Sequence, residues 1–144
     1  MVGVARTLVK VFVVLALAAT ACFWRDFDGR VAMHTDLLVA IGRKGVDLAV
    51  AGRLTAADLA ELLYPLSRGR AFAEKARRRL GDEPPPPGLV PFEALLGDYA
   101  TLCDLVDRER RTHGGPVPLD VLEGQLAAME ARAATVHATL ARGD

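Results

Sequence analysis

The segment VAMHTDLLVAIGRKGVDLAVAG, Val31 to Gly52, decides the fold. Val31, His34, Leu38, Ile41, Gly45, Leu48 and Gly52 recur in it at alternating steps of three and four residues, the spacing that lines up one stripe of an α-helix. A helix with a single apolar stripe must bury it against something else, so the rest of the chain has to supply the cover. Gly42 and Gly45 lie inside the pattern. Each costs about 1 kcal/mol against alanine in a helix, a cost that close approach of a neighbouring helix would offset.

Toward the C-terminus three more segments repeat the signature. Residues 55–80 start with Thr55 as N-cap, Asp58 three positions on, and Leu54 with Leu59 as a staple across the first turn. Leu59, Leu62, Leu66, Gly69, Ala73, Ala76 and Leu80 then form a stripe, closed by Gly81. Pro65 falls within it and predicts a kink or interruption near 61–64. The linker 81–90 carries four successive prolines, Pro84 to Pro87, which favour a stiff extended connection. A helix over 91–113 opens at Pro91, runs through Phe92, Leu95, Leu96, Tyr99, Leu102, Cys103 and Val106, and is stopped by Gly114-Gly115-Pro116. A last helix over 118–142 aligns Leu119, Leu122, Leu126, Met129, Ala133, Val136 and Leu140, before a fraying Arg142-Gly143-Asp144. Nothing alternates as a strand would. Four one-stripe helices with short turns predict an all-α, up-down-up-down four-helix bundle over 31–144.

Toward the N-terminus the composition changes. Arg6 and Lys10 precede an uncharged apolar run, Val11 to Ala21, which ends in Ala19-Thr20-Ala21 before Cys22. A positive start, a short apolar middle and an A-x-A end are the pattern of a secretory signal peptide. Residues 1–21 are thus expected to be a leader, and 22–30, where aromatic and charged residues alternate and Asp26, Asp28 and Gly29 discourage regular structure, a tether. Three fates are open to the leader. It is cut after Ala21, or it is a lipoprotein leader, or it stays as an anchor. Ala19-Thr20-Ala21-Cys22 resembles the lipobox of bacterial lipoproteins, with Ala19 where that family usually carries leucine; the resemblance implies lipidation of Cys22. As an anchor, Val11 to Trp24 would span about 21 Å of a hydrocarbon layer roughly 30 Å thick. Snorkelling of Lys10 would let Val2 to Val9 join the span, with Trp24 suited to the interface.

Charge is balanced at 18 basic and 18 acidic residues, and without Arg6 and Lys10 the remainder is slightly acidic. That gives no pull toward nucleic acid. The chain has no Asn, one Ser (Ser67) and one Gln (Gln125), few of the small polar groups that converge in catalytic and sugar-binding sites. Ser67 lacks a G-x-S-x-G elbow, and Asp104 beside Cys103 would raise the thiol pKa. No C-x-x-C or C-x-x-C-H occurs, and neither His113 nor His137 has a glutamate three residues earlier, so no metal ligand set is expected.

Three places remain as candidates. Counting from the turns puts His34 level with position 136, beside His137, with Met33 adjacent. A sulfur or imidazole on the first helix facing an imidazole late in the last resembles the b-type four-helix cytochromes of the periplasm. That resemblance implies haem b held without covalent attachment by Met33 or His34 with His137, and electron transfer as the function. The basic end of the second helix, notably Arg77, Arg78 and Arg79, is a candidate contact with anionic headgroups. Gly42, Pro65, Cys103 and Met129 fall at one level, where a kink opposite a glycine would open an apolar pocket. The leading expectation is an exported, membrane-tethered binding or accessory protein, a small non-enzymatic subunit of a cell-envelope complex. It would be held by lipid or by its N-terminal helix, act through a protein partner, and use no cofactor.

Overall fold

A computed structural model describes residues 2–113 and 116–143. These form five α-helices and no strand: α1 Val2–Arg25, α2 Phe27–Val50, α3 Ala56–Leu80, α4 Leu89–His113 and α5 Leu119–Arg142. The chain divides into two compact units, Met1–Arg30 and Val31–Asp144.

In the first unit α1 is 24 residues long, about 36 Å at helical rise. By length and composition it is apolar enough to cross a membrane, and almost none of its apolar window is buried. Its two threonines satisfy themselves within the helix, Thr7 donating to the Gly3 carbonyl at 2.9 Å and Thr20 to that of Ala16 at 3.0 Å. The expected tether over 22–30 is helical instead. Only Asp26 falls between α1 and α2, and the hydrogen bonding continues through it, Asp26 N–H to Cys22 O and Arg30 N–H to Asp26 O. Two features read as disruptive favour a helix here. Asp28 sits in the first turn of α2, where the dipole welcomes a carboxylate. The rings of Phe23, Trp24 and Phe27 pack on one another at centroid separations of 4.9, 5.3 and 6.2 Å.

The second unit is the up-down-up-down bundle. Lys44 of α2 reaches Glu61 of α3, and Gly45 sits against Leu62. Gly69 of α3 lies beneath Leu96 of α4, and Asp98 of α4 meets Arg132 of α5. Arg43 and Asp36 of α2 then meet Glu130 and His137 of α5, closing the ring. At one end Gly88 faces Leu140 and Val31; at the other the Val117 amide donates to the Ala49 carbonyl and Gly52 lies by Pro116. Most of the core comes from the predicted stripes, with Leu38, Leu62, Leu95, Tyr99, Leu102, Leu122, Leu126, Met129 and Val136 all out of water. Each such side chain contributes about 1.5–3 kcal/mol. Late in α2, however, the buried face turns to Val46 and Ala49 while Ile41 and Leu48 are half-buried, and Leu119 of α5 is exposed.

Local chemistry sets the helix ends. Thr55 caps α3 as the sequence predicts, its Oγ1 accepting from the Asp58 amide at 3.1 Å while its own amide donates to Asp58 Oδ2 at 2.8 Å. The Thr55 amide first, and then the Thr55 hydroxyl donating to Asp58 Oδ2 at 2.8 Å, hold the Asp58 carboxyl below the ordinary carboxylate range. Gly81 ends α3 at a positive φ of 57°. Helix α4 begins two residues before Pro91, whose missing amide costs nothing in a first turn. The predicted interruption at Pro65 does not occur. Helix α3 runs through it, and the buried Tyr99 hydroxyl of α4 donates to the Leu62 carbonyl in the turn where Pro65 offers no N–H. The expected Gly114-Gly115 stop and the terminal Asp144 lie outside the described residues.

Candidate functional site

The three residues proposed to hold haem do not converge. The His34 ring is buried against Phe72 of α3, centroids 5.2 Å apart, and lies 6.1 Å from Phe92 of α4. His137 pairs with Asp36 instead, Nε2 to Oδ1 at 2.8 Å, on the exposed α2–α5 flank. Residues two apart on a helix point about 200° apart, so His34 and the Asp36 that marks the direction of His137 face different neighbours. Met33 is 58% exposed on the outside of α2. The pairing also differs from the expected level, His137 meeting Asp36 where the count from the turns places position 136 opposite His34. Haem does not fit these side chains. Among the described residues no three His, Cys, Asp or Glu side chains gather as metal ligands.

The mid-level apolar pocket is likewise filled. A Cβ on Gly42 would stand 2.7 Å from Met129 Cε and 3.3 Å from Tyr99 Cε2. Both side chains are fully buried, as is Cys103. Burial first, and the charge of Asp104 second, push the Cys103 thiol up to about 12. The sequence pointed to that direction through Asp104, the smaller of the two causes. Burial also raises the Tyr99 hydroxyl well above its usual range. Both groups stay protonated and serve packing. Cys22 is an exposed free thiol within α1, and Cys103 is free as well.

The basic end of α3 is divided in role. Arg77 is clamped by Glu93 of α4, Nε to Oε2 at 3.0 Å with a second bond from Nη2 to Oε1. That pair raises the guanidinium pKa further, so Arg77 joins two helices. Arg78 and Arg79 are exposed. Beside the clamp a surface groove of about 590 Å³ runs between α3 and α4, with Ala73, Leu96 and Gly97 in its lining and Arg70, Arg78 and Glu74 at its edges. Arg70 and Glu74 also border a second depression with Leu63, Leu66, Ser67 and Ala71. Arg70 and Arg78, eight apart, share a face of α3 and were legible as such. The contribution of Glu93, Leu96 and Gly97 depends on which helices pack, which no spacing within α3 reveals.

No protein-family model, curated protein or solved structure matches the chain. The fold is a helical bundle with an N-terminal apolar helix, and the candidate surface is the Arg70–Arg78 groove.

Proposed function

We propose that the chain is a membrane-tethered binding or accessory protein of the cell envelope, its bundle exported and serving as a small subunit beside a protein partner. The observation that supports this is the exposure of α1. Ten large apolar side chains on it, from Val2 to Leu17, are left uncovered. At about 1.5–3 kcal/mol each, leaving them in water would cost more than the 5–15 kcal/mol that typically holds a domain together. A bilayer removes that cost. Arg6 and Lys10 ahead of the run favour an N-terminus kept inside and a bundle passed outward. Arg78 and Arg79, at the bundle end where Val31 lies, suit anionic headgroups at about 1 kcal/mol each. The Arg70–Arg78 groove, lined by Ala73, Leu96 and Gly97 with Arg70 and Arg78 beside a single unclamped carboxylate, Glu74, suits an acidic amphipathic segment of a partner.

Reporters fused behind Asp144 test the address. Alkaline phosphatase should be active and a cytosol-dependent fluorescent protein dark; the reverse pattern rejects an exported bundle. For the partner, the chain purified from solubilised envelope should bring down a protein that Arg70→Glu with Arg78→Glu loses. An unchanged eluate places the interface elsewhere.

A further inference from the structure

We infer that α1 is a permanent transmembrane span, neither removed at Ala21–Cys22 nor replaced by lipid on Cys22. The inference rests on the membrane-tethered reading above and fixes how the tether is made. Peptidases cut extended chain, because a helix folds the scissile carbonyl into its own hydrogen bonds. A leader that is to be cut therefore needs its helix to end before the site. Here nothing ends it. No Gly, Pro, Ser or Asn occurs from Lys10 to Arg25, and α1 continues through Ala19, Thr20, Ala21 and Cys22 to Arg25. The bond from the Thr20 hydroxyl to Ala16 O lies in the turn preceding the site, and the Cys22 carbonyl accepts from the Asp26 amide at 3.3 Å. Just beyond, the Phe23, Trp24 and Phe27 rings pack along the same helical surface.

The same features fit a bilayer. From Lys10 to Trp24 the helix rises about 21 Å. The Lys10 stem, directed back toward the N-terminus, adds about 5 Å by snorkelling, which brings the span close to the roughly 30 Å of hydrocarbon. Trp24 with its aromatic neighbours lies where the interfacial belt belongs, and Arg25, Asp26, Asp28 and Arg30 follow in water. Thr20, the one hydroxyl-bearing residue between Lys10 and Trp24, already has its partner in the helix, as hydrocarbon requires.

Intact mass of the chain from the membrane fraction of expressing cells decides the matter. The full 15.4 kDa chain, resistant to alkaline extraction, is expected, and Cys22→Ser should leave both mass and membrane retention unaltered apart from the substitution. A chain starting at Cys22 overturns the inference, whether it carries an acyl mass, as a lipoprotein would, or none. So does loss of membrane retention in Cys22→Ser. The fusion reporters separate the two readings. An external bundle with a shortened mass sinks the permanent span and leaves the exported bundle standing. An internal bundle with the full mass in the membrane does the opposite.

Discussion

Tyr99 shows how a single buried hydroxyl can join two helices. Pro65 removes an amide from the middle of α3, and an unrelieved proline in a helix interior costs about 3 kcal/mol. The carbonyl this leaves without its helical donor is that of Glu61, four residues back; the Tyr99 hydroxyl reaches the neighbouring Leu62 carbonyl and fastens α3 to α4. Its ring is buried against the Gly42 gap at the same time. Tyr99→Phe keeps the ring and deletes the bond. It should therefore destabilise the chain by about 1 kcal/mol, read as a lower urea midpoint at unchanged slope in detergent-solubilised protein. An unchanged midpoint would mean that the hydroxyl adds nothing to the joining of α3 and α4. This contact was not legible in the sequence. Pro65 announced a missing amide, but a hydroxyl 34 positions away on another helix has no signature in the spacing of α3.

At the scale of the element, the glycines separate into those that hold helices together and those that merely occupy a helix. Gly42 faces Met129, Tyr99 and Leu102 across the bundle, whereas Gly124, in the second turn of α5, has nothing within 4 Å of where a Cβ would stand. Met129 can give way at its flexible end, but Tyr99 is held by its hydroxyl, so Gly42→Ala overpacks the core and should cost about 1–3 kcal/mol. Gly124→Ala gains helix propensity with no contact to disturb and should stabilise by about 0.5–1 kcal/mol. Thermal unfolding of the two variants side by side should give shifts of opposite sign, and equal signs would mean that α2 does not approach as closely as described. Helix type and stripe were readable because period and caps are local: Thr55 with Asp58 marks the start of α3 and Gly81 its end, in the sequence as in the structure. The stretch 22–30 was misread because Asp26 and Asp28 were weighed as helix breakers. Near a helix start the same carboxylates are favourable.

For the whole molecule, the architecture follows from four stripes that need one another, and so it was legible. The candidate site was less so, because a site depends on which faces meet. Counting levels from the turns placed His34 opposite the end of α5, but a level says nothing about the angle around the helix axis. His34 turns toward Phe72, and His137 finds Asp36. Likewise Arg77 looked like part of a basic surface until Glu93 of α4 claimed it. What remains is a division of labour between two units. The burden of exposed apolar surface falls on α1, while the bundle's large apolar side chains mostly face one another. If so, a chain beginning at Phe27, which keeps α2 whole, should need no detergent. It is expected to stay monodisperse in buffer, with a helical far-ultraviolet dichroism spectrum and a single cooperative melt. The complete chain should aggregate under the same conditions unless detergent or lipid is supplied. A chain from Phe27 that precipitates or melts without cooperativity would show that the bundle depends on α1 for more than its location.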